Sequence, residues 1–242
     1  MKIDVLAIGA HPDDIEISCS GTIAKLVAQS YKVGILDLTQ GELGTRGNKK
    51  LRMKESQNAA KVLKVSFRKN LNLQDGNIKV NQKNILKIIP IIRHYKPEIL
   101  LIPHFHERHP DHEHTHYLAK ESWFYSGLEK IKTKFNGNFQ EPFRPQSYFQ
   151  YMQRYEFQPT FIVDISDTYK IRQKSIGMFS SQFYSPNSNE RETFLSSANF
   201  IYILETRAKY FGQKIGVQYG EPFYFHEAIG IKSIFDLNIL QK

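Results

Sequence analysis

The stretch Ile3-Asp4-Val5-Leu6-Ala7-Ile8-Gly9-Ala10-His11-Pro12-Asp13-Asp14 decides the fold. An apolar run closed by glycine and followed at once by imidazole and carboxylates reads as a buried strand that delivers reactive side chains at its exit. The same arrangement recurs later, where Ile99 to Pro103 is apolar and His109-Pro110-Asp111-His112 comes soon after. In an open α/β sheet the carboxyl ends of neighbouring strands lie side by side and ligands bind in the crevice there, so clusters far apart in sequence can converge. Two such clusters predict one metal site and, with it, an enzyme.

The first half of the chain alternates strand and helix patterns. Near-continuous apolar runs at Ile3 to Gly9, Val33 to Leu38 and Ile99 to Ile102 predict strands buried on both faces. Between them, Gly21 to Ser30, Leu51 to Leu63 and Asn81 to Tyr95 read as helices, the third ended by Pro97. Strands alternating with helices imply crossover connections and a Rossmann-like, three-layer α/β fold with a mostly parallel sheet. The rhythm is lost near Phe124. Lys130 to Pro159 reads as loops and short strands capping the site, followed by a strand at Thr160 to Asp164. Helices are expected at Ile165 to Gln182 and at Asn189 to Phe211, the latter stopped by Gly212. The expected organisation is a single domain over residues 1–242, with a core at 1–127 and a C-terminal capping region at 128–242.

Composition bounds the function classes. The chain has 242 residues, 40% of them hydrophobic, enough for a sizeable core. It offers no run of the roughly 18 to 20 apolar residues that a membrane span needs, and no leader pattern precedes the first strand, so a cytoplasmic protein is expected. The single cysteine, Cys19, agrees with a reducing compartment and reads as a small packing residue. A formal charge of +9 favours anionic partners and brings nucleic acid into consideration. The basic runs at Lys49, Lys50, Arg52 and Lys54 and at Lys130, Lys132 and Lys134 lack interleaved aromatics, so solvated surface describes most of them better.

The chemistry follows from spacing. With Pro12 opening a helical turn, His11 and Asp14 stand at i and i+3 on one side and can grip one ion, while Asp13, rotated off that line, is free to act on water. His109 and His112 have the same spacing, so one can ligate while the other stays free above the substrate. Two imidazoles and one carboxylate leave an open position, the pattern of catalytic zinc. Water activated there and deprotonated by a nearby carboxylate would attack a carbonyl, with a protonated His109 as positive partner for the oxyanion. Either cluster alone would more simply be a capped strand-to-helix turn. A competing pattern overlaps the second cluster: His112-Glu113-His114-Thr115-His116 matches the His-Glu-x-x-His signature of zinc peptidases, which would leave His11 through Asp14 without a role. Set against that signature, His114 and His116 read as exposed first-turn histidines.

Ala10-His11-Pro12-Asp13-Asp14 with Glu16 and Gly21, followed by His109-Pro110-Asp111-His112, resembles the PIG-L/LmbE family of zinc-dependent N-acetylglucosamine deacetylases. Further stretches extend the likeness: Leu38 to Gly47, Leu51-Arg52, Asn72-Leu73-Gln74-Asp75-Gly76, Ser181 to Tyr184, and Gly216 to Phe223. The longer set is similar to the branch that deacetylates N-acetylglucosaminyl malate in bacillithiol biosynthesis. Ser20-Gly21 stands where the family often has paired glycines. The resemblance implies one Zn2+ per chain on His11, Asp14 and His112. It also implies Asp13 as general base, His109 as the group stabilising the oxyanion, and Asp111 as a carboxylate orienting a histidine. Arg52 would contact the sugar, and Arg46 and Arg108 the anionic end of a small sugar-conjugate substrate. A homo-oligomer is expected, with neither nucleic acid nor membrane as partner. The rivals are a deacetylase of another N-acetylglucosamine conjugate, the zinc peptidase, and a basic nucleic-acid-binding protein.

Overall fold

The computed structural model describes residues 1–186 and 189–236. In chain order the elements are β1 (Val5–Gly9), α1 (Asp14–Ala28), β2 (Val33–Thr39), α2 (Lys49–Leu63), β3 (Phe67–Leu73), α3 (Gln82–Tyr95), β4 (Ile99–Pro103) and α4 (Pro110–Ser126). A short hairpin of β5 (Lys134–Phe135) and β6 (Asn138–Phe139) follows, then β7 (Ser147–Tyr151), β8 (Phe161–Asp164), α5 (Tyr169–Ile176), α6 (Phe200–Gln213) and β9 (Gly220–Tyr224).

Seven strands form one sheet in the order β3-β2-β1-β4-β7-β9-β8. The first five run parallel, while β9 is antiparallel to both β7 and β8. From β1 the chain builds outward through β2 and β3, then returns to the other side of β1 to lay down β4. That reversal makes the carboxyl ends of β1 and β4 a topological switch point, the crevice where ligands bind. Side-chain alternation along β1 shows why both faces are covered. Leu6 and Ile8 pack with Ile85, Ile88, Ile92 and Leu118 of α3 and α4, whereas Val5 and Ala7 pack with Ile15, Cys19 and Ile23 of α1 and Leu63 of α2. The result is the expected three-layer α/β architecture.

Several expectations need correction. The sheet does not end at residue 127: β7 pairs with β4 from Ile99↔Ser147 to Pro103↔Tyr151, so the region expected to cap the core supplies three of its seven strands. Strand β3 escapes sequence reading because Phe67-Arg68-Lys69-Asn70-Leu71-Asn72-Leu73 is a half-exposed edge with polar side chains. Helix α1 starts at Asp14, seven residues before the expected Gly21, and it kinks at Cys19, where φ is −144°. The kink frees the amides of Gly21 and Thr22, and Glu221 from β9 accepts both, at 2.9 and 2.7 Å. Arg172 pairs with Glu221 at 3.1 Å, so a buried ion pair ties β9 and α5 to the kink.

Helices α5 and α6 are shorter than their apolar patterns suggest. Ser180 and Ser181 bind the Glu55 carboxylate, and Thr193 and Ser196 bond each other, which turns those segments out of helix. Gly212 does not stop α6 but lies within it. A Cβ there would come 2.7 Å from the Tyr219 amide nitrogen, so the glycine allows the helix to press on the backbone leading into β9.

Candidate metal and catalytic centre

The site assembles at the switch point. His11 follows β1, Asp14 opens α1, and His109 and His112 stand at the start of α4, whose first residue is Pro110. Asp14 is the hub: Oδ2 accepts the His11 amide at 2.9 Å and lies 3.6 Å from His11 Nδ1, while Oδ1 lies 3.3 Å from His112 Nε2. The ligand atoms of His11, Asp14 and His112 lie within 4.8 Å of one another.

His11 is aimed by a residue to which the motifs assigned no role. Its Nε2 faces Asp75 Oδ1 at 3.0 Å and Asp111 Oδ2 at 3.6 Å, so the proton on that nitrogen is held by carboxylates, and Nδ1, on the Asp14 side, is the nitrogen that would give up its proton to ligate an ion. Asp75 sits in the loop after β3, inside the Asn72-to-Gly76 stretch; a carboxylate beside a left-handed Gly76 was the signal available. Asp111 is anchored by the amides of Gly76 and Ile78, at 2.7 and 3.2 Å. It thereby joins the start of α4 to the loop that holds Asp75.

These side chains fit a divalent cation. Burial works against charge on His11, yet Asp111, Asp14 and Asp75 outweigh it and raise its pKa well above the ordinary value, so the pocket gathers positive charge. His112 Nδ1 is buried without a hydrogen-bond partner among the described residues. A second convergent group, His11 with His109 and Asp111, suits an ion less well. Its carboxylate is already committed to two amides, and the His11 nitrogen on that side to Asp75.

Asp13 is held apart from the donor set. It precedes α1 with φ 114°, a left-handed conformation that costs a non-glycine residue on the order of 1–3 kcal/mol. Arg52 from α2 holds it there, donating to Asp13 Oδ2 at 2.9 Å and to the carbonyls of Pro12 and Gly41. Burial raises the Asp13 pKa to about 7, against the pull of Arg52 and with a further push from Asp14. A carboxyl in that range can both take and return a proton near neutral pH. His109 differs from expectation. Its Nδ1 accepts the Asp111 amide at 3.2 Å, which places the proton on Nε2, and burial together with His11 and His112 lowers its pKa. It therefore offers a neutral N–H donor rather than an imidazolium.

The cluster opens into a cavity of about 870 Å³ lined by His11, Asp13, Asp14, Arg52, His109 and His112 on one side and by α6 and the segment before it on the other. Arg52 and Arg108 line it; Arg46 does not. The Arg46 guanidinium is turned to Glu190 at 3.3 Å and to the Phe183 carbonyl, so it fastens loops instead of facing the cavity. The peptidase alternative fails on geometry. His114 is exposed, and His116, expected at the surface, is buried with Nδ1 on the Pro103 carbonyl and belongs to neither convergent group. Glu113 accepts the Glu107 amide and pairs with His106 instead of facing water in the site.

A metal-capable donor set beside a buried, strained carboxylate is equipped for hydrolysis, and the comparisons with known proteins agree. Residues 6–123 match the family model PIG-L, described as GlcNAc-PI de-N-acetylase. The chain is similar to a conserved protein of Thermus thermophilus, with 31% identity and a TM-score of 0.85, covering 95% of this chain and 97% of that one. It is also similar to the N,N'-diacetylchitobiose deacetylase of Pyrococcus horikoshii, with 30% identity and a TM-score of 0.77, covering 91% and 82%. To the diacetylchitobiose deacetylase of Thermococcus kodakarensis it is 29% identical over 91% of this chain and 82% of the other. The fold and site define an amidohydrolase. The chain belongs to the PIG-L family of de-N-acetylases.

Proposed function

We propose that this protein hydrolyses the acetamide of an N-acetylglucosaminide, with N-acetylglucosaminyl malate as the substrate and glucosaminyl malate and acetate as the products, in bacillithiol biosynthesis. The observation that carries the chemistry is Asp13, ion-paired to Arg52 and standing beside a His11–Asp14–His112 donor set at the floor of the cavity. His11, Asp14 and His112 would hold Zn2+, one per chain, and the ion would supply Lewis acidity there.

The protein's own residues divide the work. Asp13 takes a proton from water as the oxygen attacks the acetyl carbon. The His109 Nε2–H donates to the oxyanion that forms as the carbonyl π bond breaks. Asp13, now protonated, returns that proton to the nitrogen as the carbonyl re-forms and the C–N bond breaks; the second proton of the attacking water leaves the new carboxyl for the released amine, so acetate and an ammonium group are the products. Arg52 holds Asp13 in place and, since it also lines the cavity, is the residue we assign to contact with the sugar. Among the described residues no helix is long and apolar enough to cross a membrane. With a buried, free Cys19, we place the reaction in the cytoplasm, carried out by a homo-oligomer.

The test is amine release from a panel of N-acetylglucosaminides by the purified, zinc-loaded protein, alongside metal content. Release of amine from the malate conjugate with about one zinc per chain is expected. Release from other N-acetylglucosaminides but not from malate would move the protein to a different conjugate, and no amide hydrolysis on any of them would overturn the proposal.

A further inference from the structure

The cavity reaches well beyond the catalytic cluster, and its far side carries positive charge that the chemistry of amide cleavage does not use. Arg108 and Arg154 approach one aromatic ring: their guanidinium carbons lie 5.6 and 5.2 Å from the centroid of Phe194, and all three residues line the cavity. A guanidinium laid on a ring spends no hydrogen-bond donor on it, so its fork is kept for a ligand. Among the described residues no carboxylate lies within ion-pair distance of either arginine, nor of Arg207, which lines the same space. Arg207 donates to the carbonyls of Gln153 and Ile17, and burial, with Arg172 nearby, depresses its pKa to about 10.

The two arginines come from segments far apart in sequence, yet one buried carboxylate clips both backbones. Glu107 Oε1 accepts the amides of Gln153 and Arg154 at 3.1 and 2.8 Å, and Oε2 accepts that of Arg108 at 3.1 Å. The spacing between the two backbones is therefore built into the fold, and the shared Phe194 ring brings the two guanidiniums together.

We propose that Arg154 and Arg108, set by Glu107 and stacked against Phe194, form a paired-guanidinium clamp. It selects acetamido sugars whose aglycone carries a dianionic group such as two carboxylates. Arg154 and Phe194 are the specificity-determining residues that this assignment adds, Glu107 is a positioning residue, and Arg46 has no part in it. The clamp rests on the deacetylase function proposed above for its substrate but not for its physical basis. Bidentate guanidinium contacts discriminate strongly for a paired carboxylate over a neutral group, because the donors match its geometry and a neutral ligand leaves them unpaired.

The experiment compares kcat/KM for N-acetylglucosaminyl malate and methyl N-acetylglucosaminide, using the zinc-loaded full chain and its Arg154→Met, Arg108→Met, Phe194→Leu and Glu107→Gln variants. Calorimetric titration of both compounds into Asp13→Asn and Asp13→Asn/Arg154→Met reads binding without turnover. The wild type should prefer malate, and Arg154→Met and Arg108→Met should each shrink that preference by about ten- to hundredfold. The loss should lie in KM more than in kcat. Glu107→Gln should shrink the preference less, since the amide keeps one acceptor oxygen. Equal losses on both substrates, or malate bound as tightly without the Arg154 guanidinium as with it, would overturn the clamp. If neither compound is hydrolysed but Arg154→Met still abolishes tighter binding of malate, the clamp stands and the deacetylase function falls.

Discussion

Arg52 Nη2 donates to Asp13 Oδ2 across 2.9 Å, with both side chains buried. The contact holds the carboxylate in a backbone conformation it would not otherwise keep, and it opposes the effect of burial on the carboxyl pKa. Position and protonation of the proposed base thus depend on a residue from another helix.

The sign of the pH effect follows. Hydrolysis needs Asp13 ionised, so the rate falls as pH drops through its pKa. Burial carries that value to about 7; a bound dication pulls it down as Arg52 does, placing the wild-type acid limb below about 7. Arg52→Gln removes one cation, raises the pKa and should move the limb to higher pH, besides lowering turnover. The check is kcat/KM against pH for both proteins, and an unmoved limb would show that Arg52 does not tune the base.

Asp13→Asn should retain stoichiometric metal yet lose amide hydrolysis by ~10² or more, because water stays in reach but nothing takes its proton. Glu113→Gln should change little, since Glu113 binds the Glu107 amide and His106. Metal analysis and amine release on both variants decide this; comparable losses would assign the base elsewhere.

Asp75→Asn should weaken zinc binding by about 10- to 100-fold, the usual cost of removing a carboxylate that orients a ligating imidazole. His112→Ala should lose the metal. His116→Ala should keep it and unfold at a lower temperature, because it empties a site only 2% exposed. Competition with a chelating dye measures the first two and thermal unfolding the third. Wild-type zinc affinity in Asp75→Asn would mean that Asp75 does not orient His11.

Gly212→Ala should destabilise the fold by roughly 1–3 kcal/mol, the cost of forcing a methyl group into a closed contact. The obstacle is backbone, the Gln218 carbonyl carbon and the Tyr219 nitrogen and Cα, which cannot rotate away. Denaturant unfolding measures it; an unchanged midpoint would show that α6 can move off the strand it presses on.

Local order settled much of this protein. Apolar runs at Ile3 to Gly9 and Ile99 to Pro103 are strands because their side chains are buried on both faces, and the imidazoles and carboxylates that follow each run emerge at the strand exits. Spacing put His11 with Asp14 and set Asp13 off that line. Tertiary structure decided the rest, because it turns on pairings over long sequence separations. Polar edge strand β3 and aromatic β7 become strands through the neighbours they bond, β2 and β4, and neither carries an apolar pattern that would announce it. Asp75 becomes the partner of His11, and Arg52 of Asp13, only when loops and helices close over the switch point. Arg46 and Arg108 look alike as loop arginines. Packing gives the first to Glu190 and the second to the cavity, for a guanidinium's role is set by the acceptors within reach of its long side chain.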